Sequence, residues 1–401
     1  MRDGGGTTDG ADAGAAGSAV RRDAGRFVRL KEKRLLVAAA ALVLAAAGVA
    51  TTLGIADSGE NRPCWRPPAS ARALADDPAA ATKALDPGDG LARLGAAKKL
   101  LAHERVCGDG ARVLGRIVAG ATRSAGPDEP HTMAQARAAY AVAAAFDGVE
   151  LPAGMAPGVA RMLAEYVVDA GREDLAYGDD ASGPALPPGQ ARPDRNGWVW
   201  VGRFLAPGEA HAAFEYADAT VKADADTEDL VAELAKDPEA FAILYDAERA
   251  FFAHYLERLT REGGDPAFRP GPRDRSAEAT TWPDNDLQDL GERVARLMRY
   301  RTEYAGDGTI PDLTAFDRAV RDHIRGTFRP APRQVDSRPP MGGIAERPVA
   351  GPFRGDPMDG RGRLFAVLDR WAEERGVPAR RAAAMRQLLD DAYVRGLWLN
   401  H

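Results

Sequence analysis

The sequence has none of the short motifs that mark the common enzyme chemistries. It contains no GxSxG nucleophile elbow, no phosphate-binding P-loop and no GxGxxG turn after a predicted strand. Its six histidines show neither the HExxH pattern nor another metal-site spacing. Acyl transfer, nucleotide hydrolysis, nicotinamide chemistry and zinc catalysis therefore find no support, and we expect no catalytic residue, no metal and no cofactor.

Clustered basic charge is also lacking. The chain has 53 Lys and Arg against 59 Asp and Glu, a net charge of −6 and an isoelectric point of about 5.7. A DNA-binding domain needs a clustered basic excess to neutralise phosphates. The acidic balance therefore predicts no nucleic-acid partner.

One long stretch, residues 35–56, lacks any charged side chain over 22 positions. A helix rises about 1.5 Å per residue, so this run would extend about 33 Å. That is enough for a bilayer core of about 30 Å. A buried helix of a soluble domain rarely goes so long without a charge, so the run predicts a single N-terminal transmembrane helix.

The charges on either side of this run indicate its orientation. Residues 21–34 hold seven Lys or Arg against two acidic residues, whereas residues 57–77 hold three Arg. The positive-inside rule places the basic flank in the cytoplasm. Residues 1–34 are then a disordered, basic cytoplasmic tail, and the C-terminal part of the chain is extracytoplasmic on a cell-membrane protein.

Cleavage is the alternative to a permanent anchor. Gly54-Ile55-Ala56 has the small-x-small character of a signal-peptidase site, and a cut there would release a secreted domain. The region before the apolar run would be 34 residues long, and the run exceeds the usual length of about 7–15 residues. We therefore favour the anchor and keep secretion after cleavage near Ala56 as the alternative.

Cysteine is scarce, and the two that occur, Cys64 and Cys107, both follow the apolar run. Disulfides persist outside the cytoplasm. A bridge between them would close a loop of about 44 residues. By lowering the entropy of the unfolded chain, it would stabilise the folded state by up to about 4 kcal/mol. We predict a Cys64–Cys107 disulfide, with two free thiols as the alternative.

The rest of the chain repeats apolar residues at helical spacing, which predicts an all-α fold. Its predicted parts are a Pro-rich stalk over 57–70, a helical extracytoplasmic domain over 71–328, a Pro- and Gly-rich linker or strap over 329–360 and a C-terminal helical hairpin over 361–401.

The helix over 237–262 has the strongest signals. Asp237 suits the N-cap, Pro238 suits the first helical position, and Gly263-Gly264 would end the helix. Further helices are predicted near 89–106, 109–124, 131–147, 155–170, 286–304 and 312–328.

Two of these helices carry a charged residue on an apolar stripe. Glu248 lies on the helix over 237–262, and Arg301 lies on the helix over 286–304. Burying either charge alone costs several kcal/mol. The simplest hypothesis pairs Glu248 with Arg301 across neighbouring helices. The alternatives are partly solvated side chains or a carboxylate held in a cleft for acid–base work.

Trp198 and Trp200, close to Asn196, form a candidate ligand-binding group. The stretch 198–204 has a period of two, which places both tryptophans on one face of a strand. Aromatic faces can stack on a sugar, and wall glycans are abundant outside the cell. Core packing of the tryptophans is the alternative.

These observations predict an interaction or scaffold domain that binds an envelope protein or a cell-wall component. The alternative is a carboxylate-dependent extracytoplasmic hydrolase of wall or peptide material. Two convergent carboxylates in a pocket, about 5–10 Å apart, would favour the hydrolase. An exposed apolar groove would favour the binding domain.

Overall fold

The structure is a computed structural model of the 401-residue chain. It describes residues 64–126, 129–170, 210, 212, 214, 225, 227–264, 282–324 and 355–398. Within these ranges the regular elements are thirteen α-helices and a short 3₁₀ helix at Asp89–Leu91. The predicted all-α class is confirmed for this part of the chain.

The α-helices in chain order are α1 (Ala69–Asp76), α2 (Pro78–Leu85), α3 (Leu94–Leu101), α4 (Gly110–Thr122), α5 (Met133–Ala145), α6 (Ala156–Glu165), α7 (Val167–Ala170), α8 (Thr227–Leu234), α9 (Pro238–Arg258), α10 (Trp282–Gly306), α11 (Leu313–His323), α12 (Asp359–Arg375) and α13 (Ala379–Trp398).

Several sequence predictions concern residues outside these ranges. They are the tail over 1–34, the transmembrane helix over 35–56, most of the strap over 329–360, and the ligand-binding candidates Asn196, Trp198 and Trp200. Among the helices that are described, none combines the length and the apolar character needed to cross a membrane.

The predicted disulfide between Cys64 and Cys107 is present, with a Cα–Cα distance of 5.8 Å. The Trp65 amide donates to the Arg105 carbonyl (2.8 Å), and the Cys107 amide donates to the Trp65 carbonyl (2.9 Å). The Trp65 ring stacks on His103 at 4.3 Å. The last residues of the predicted stalk therefore lie against the segment before α4, and α1 begins at Ala69, inside the predicted stalk range.

Helix α4 organises the N-terminal helices by packing against α1, α2, α5 and α6. Small residues allow the close approach of α4 to α6. A Cβ atom added to Gly158 would lie 2.2 Å from the carbonyl oxygen of Gly115. Helix α5 buries seven alanines together with Tyr140 and Val142, so it too packs close to its neighbours.

Helix α9 lies at the centre of the C-terminal helices and contacts α6, α10, α11 and α12. Its start is as predicted, because the Asp237 carboxylate accepts from the Ala240 amide (2.9 Å) and Pro238 is the first helical residue. It ends at Arg258, before the predicted Gly263-Gly264 stop. Aromatic residues are buried along it: Phe241, Tyr245, Phe251, Phe252 and Tyr255.

The two C-terminal helices form the predicted pair, with Gly376 in the left-handed region ending α12. Helix α12 starts at Asp359, within the range predicted for the strap. Helix α13 packs most extensively against α10. Gly396 makes this possible, since a Cβ atom there would lie 2.8 Å from the Ala295 Cβ.

Two predicted helices differ from the structure in their bounds. The stretch 155–170 is divided at Tyr166, where the backbone leaves helical geometry, into α6 and the short α7. Helix α10 begins at Trp282 rather than at 286.

Candidate functional site

A groove lies where α6, α7, α8, α9 and α10 meet. Its apolar side is lined by Leu163, Val167, Ala170, Val231, Leu244 and Leu297. Its polar side is lined by Thr227, Glu228, Glu248, Arg293 and Arg296. The cavity volume of about 50 Å³ accommodates a few water molecules or one small side chain. We refer to this feature as the groove.

Helical spacing places the lining residues side by side. On α10, Arg296 and Leu297 follow Arg293 by three and four residues, so both are neighbours of Arg293 on one helical face. On α9, Leu244 and Glu248 are four residues apart and also share a face. The groove therefore carries both apolar and charged side chains because two amphipathic faces meet there.

Glu248 is held by Arg293 inside the groove. Arg293 donates from Nε and Nη2 to the two carboxylate oxygens, at 2.8 and 2.6 Å, and Nη2 also donates to the Val167 carbonyl at 3.0 Å. Both side chains are largely buried. A bidentate Arg–carboxylate pair of this kind is strong and directional. Glu248 is therefore paired, as a buried charge should be, but its partner is not Arg301.

Arg301 pairs instead with Asp317 on α11, at 2.6 and 2.5 Å. Arg301 lies eight residues beyond Arg293, so it is about 12 Å further along α10. At that level of the helix its neighbour is α11 rather than Glu248. The predicted Glu248–Arg301 pair is thus replaced by two separate ion pairs.

The backbone at Gly355 lies directly on the Arg301–Asp317 pair. A Cβ atom at Gly355, where φ is +75°, would lie 1.8 Å from an Asp317 carboxylate oxygen. Only glycine fits this close approach without strain. The segment that leads into α12 therefore covers a buried charge pair.

Glu228 is the second carboxylate of the groove, and its side chain is half exposed. Its Oε1 accepts from the Tyr300 hydroxyl at 3.2 Å. Arg296 and Arg299 approach its oxygens at 3.9 and 3.7 Å. Burial, followed by the negative charge of Glu228, raises the pKa of Tyr300, so the phenol keeps its proton and donates.

The groove therefore does not present two free carboxylates. Glu248 has both oxygens engaged by Arg293, and Glu228 faces two further arginines. A general base needs an oxygen free to reach a substrate proton. Glu248, with both oxygens bonded by Arg293, therefore has no oxygen free for that role. Across the described ranges, no cluster of three or more His, Cys, Asp or Glu could hold a metal ion.

A second polar group surrounds the end of α6. His131 is buried, its Nε2 lies 3.3 Å from Glu165 Oε2, and its ring stacks on Tyr166 at 4.2 Å. The Ala210 amide donates to the His131 carbonyl (3.2 Å), and the Ala212 amide donates to Asp169 Oδ2 (3.0 Å).

The residues on either side of the stretch 171–209 therefore meet here, since Asp169 stands before it in the chain and Ala210 and Ala212 stand after it. Asn196, Trp198 and Trp200 belong to the stretch between these two residues.

Comparison with known protein families, curated proteins and solved structures gave no match. Sequence reasoning missed Arg293 and Arg299. Arg293 adjoins the apolar stripe of α10 and could have been considered as a partner for Glu248, whereas Arg299 carries no signal in the sequence.

Proposed function

We propose that this chain is a single-pass membrane protein whose extracytoplasmic helical domain binds an envelope protein or a cell-wall component, as an interaction or scaffold domain. The observation that carries the proposal is the groove. It combines an apolar wall with Glu248, whose two oxygens are held by Arg293, and with Glu228, which lies within ion-pair distance of Arg296 and Arg299. This arrangement favours binding over hydrolysis.

The membrane anchor and the orientation are supported by the uncharged run over 35–56 and its basic flank over 21–34. The Cys64–Cys107 disulfide supports the extracytoplasmic side, because such bonds persist in oxidising compartments.

Cysteine labelling in intact cells tests the orientation. Ser18→Cys precedes the run, and Arg370→Cys lies on the exposed face of α12. A membrane-impermeant maleimide should label the second variant and leave the first unlabelled until the cells are opened. The reverse pattern would place the domain in the cytoplasm and refute this part of the proposal.

Binding through the groove is tested by a matched pair of valine substitutions. Val231→Lys places a charge on the apolar wall of the groove, whereas Val149→Lys places the same charge at a valine that is 45 % exposed elsewhere. The full chain in detergent is sedimented with purified envelope material. We expect retention to fall at least about tenfold for Val231→Lys only, since a buried, unpaired charge opposes association.

Equal retention of both lysine variants would show that the groove is not the binding surface. A parallel double variant, Trp198→Ala with Trp200→Ala, tests the tryptophans as a separate contact with the wall. If this variant alone loses retention, the binding surface is the stretch that carries Trp198 and Trp200.

A further inference from the structure

The helices next to the disulfide carry an excess of positive charge. Residues 64–126 hold ten Lys and Arg against six Asp and Glu, although the whole chain has a net charge of −6. Residues 129–170 and 227–264 together hold six Lys and Arg against fourteen Asp and Glu. The N-terminal helices therefore differ in the sign of their charge from the helices that follow them.

Three of these cations, Arg66, Lys98 and Lys99, surround one contact of the fold. Arg66 follows Trp65, whose ring stacks on His103 at 4.3 Å. His103 lies two residues beyond the end of α3, and Lys98 and Lys99 belong to the last turn of that helix. We refer to the three cations as the basic surface.

The basic surface is open to solvent. Trp65 packs against the core, so the alternation of an extended chain directs Arg66 outward, and Arg66 is exposed. On α3, Gly95 shares a helical face with Lys98 and Lys99. A Cβ atom at Gly95 would meet nothing within 4 Å, so no described neighbour covers this position.

The charge of the basic surface is not balanced by the described residues around it. None of its three side chains forms an ion pair within the described ranges. Glu104 adjoins it but is followed by Arg105, and Asp109 accepts two hydrogen bonds from Arg72, at 2.6 and 2.8 Å. Burial lowers the pKa of His103, so the imidazole is neutral at pH 7. The basic surface therefore keeps three positive charges.

The basic surface also adjoins the residue at which the folded domain would join the proposed anchor. Cys64 follows Ala56 by eight residues, and a fully extended chain of that length reaches about 28 Å. An anchored chain would therefore hold Cys64, and Arg66 with it, within about that distance of the lipid surface. Lysine and arginine at such a surface are attracted by anionic headgroups.

We infer that the basic surface binds the phosphate headgroups of anionic phospholipids in the membrane that anchors the chain. Each cation at the lipid surface favours the docked state about fivefold, so three cations favour it about a hundredfold. The same headgroups repel the acidic ranges 129–170 and 227–264, so the contact fixes which side of the domain faces the lipid. This inference rests on the membrane anchor of the proposed function.

The test uses the full chain inserted into vesicles of neutral phosphatidylcholine or of an equal mixture with anionic phosphatidylglycerol. Gly95→Cys supplies a single free thiol for a fluorophore, and a nitroxide on the lipid headgroups quenches a fluorophore that comes close. We expect stronger quenching in the anionic vesicles. Salt at about 0.5 M should remove the difference, because the Debye length then falls to about 4 Å.

Removal of the three charges should abolish the additional quenching. In the labelled chain, Arg66→Gln, Lys98→Gln and Lys99→Gln together lower the ratio of docked to free domain in anionic vesicles by about a hundredfold. All three residues are at least partly exposed, so we expect the variant to fold. Circular dichroism checks that it does.

The matched control removes three exposed charges elsewhere, by Arg318→Gln, Arg370→Gln and Arg380→Gln on α11 to α13. It should be quenched as the labelled chain without these changes is. Equal quenching in the two kinds of vesicle, or the same loss in both triple variants, would overturn the inference. Equal quenching together with charge-dependent retention on immobilised polyphosphate would assign the basic surface to an anionic polymer instead.

Flotation with the neutral vesicles separates this inference from the proposed function. A chain that does not float with neutral lipid has no anchor, and both proposals then fail. A chain that floats but shows no difference in quenching keeps its anchor, and this inference alone fails.

Discussion

The helices before α7 and the helices from α9 onward are stabilised in different ways. The first group packs small residues, including the seven buried alanines of α5, and carries the disulfide. The second group buries the largest side chains, among them Trp371, Phe241, Tyr255 and Tyr393. Most of the buried charged residues lie in this second group as well: Asp246, Arg249, Asp286, Arg293, Arg299, Arg301, Asp317 and Arg363.

This difference predicts different weaknesses. Helices that pack through glycine and alanine have no room for added atoms, so an increase in volume harms them most. Helices that bury charges depend on each charge keeping its partner. The groove lies between the two groups, with α6 of the first group and α9 and α10 of the second group among its walls.

The largest expected effect comes from breaking a buried pair in the second group. Asp317→Ala leaves Arg301 buried without its carboxylate and should lower the free energy of unfolding by about 3–5 kcal/mol. Urea denaturation followed by circular dichroism measures this. Asp369→Ala removes an exposed partner of Arg386 and should change the midpoint little. Equal losses in both variants would remove the distinction between buried and exposed pairs.

Loss of the disulfide should weaken the first group selectively. Cys64→Ser with Cys107→Ser opens a loop of about 44 residues and should cost about 2–4 kcal/mol. Amide hydrogen exchange should rise in α1 to α4, which the disulfide and Trp65 hold together, and stay unchanged in α10 to α13. Uniform exchange throughout the described helices would mean that the two groups unfold as one unit.

Added volume is the third way to separate the groups. Gly158→Ala forces α6 away from the Gly115 carbonyl, which a new Cβ atom would approach to 2.2 Å, and should cost about 1–3 kcal/mol. Gly95→Ala, in α3, meets nothing within 4 Å and should raise stability by at most about 1 kcal/mol. Thermal unfolding compares the two, and a stable Gly158→Ala variant would contradict the close packing of α4 and α6.

Acid should have the smallest effect, through Asp86 in the first group. Burial raises the pKa of Asp86, but hydrogen bonds from Arg137 and from the Gly88 amide, with the charges of Arg137 and Arg93, bring it below its usual value. A carboxylate whose pKa is lower in the folded state adds stability above its unfolded pKa of about 3.9, and the gain disappears as the pH falls through the folded pKa.

Unfolding midpoints between pH 2.5 and 6 therefore test this ion pair. The loss of stability in acid should be smaller for Asp86→Asn than for the unaltered chain. Asp369→Asn removes an exposed carboxylate of α12 instead and is the matched control for the loss of one acidic side chain. An identical profile for Asp86→Asn would show that Asp86 contributes nothing to the acid sensitivity.

Local signals in the sequence were sufficient for several features. Asp237 and Pro238 marked the start of α9 because capping depends on neighbouring residues only. The end of α9 was predicted too late, and the boundary at Tyr166 was missed, because both depend on the helices packed around them. The predicted pairing of Glu248 with Arg301 was wrong for the same reason. Periodicity places a residue on one face of its helix, but it does not say which residues of the next helix lie opposite.

The amino-acid sequence by itself determined the helical class, the positions of most helices, the pair of cysteines and the need of Glu248 and Arg301 for partners. These follow from spacing, composition and the cost of burying charge, which act within a few residues. Only the tertiary structure decided that Arg293 and Asp317 are those partners, that Gly355 covers one pair, and that the Glu248–Arg293 pair lines an apolar groove. Such relations join residues far apart in the chain, so they exist only once the helices have packed.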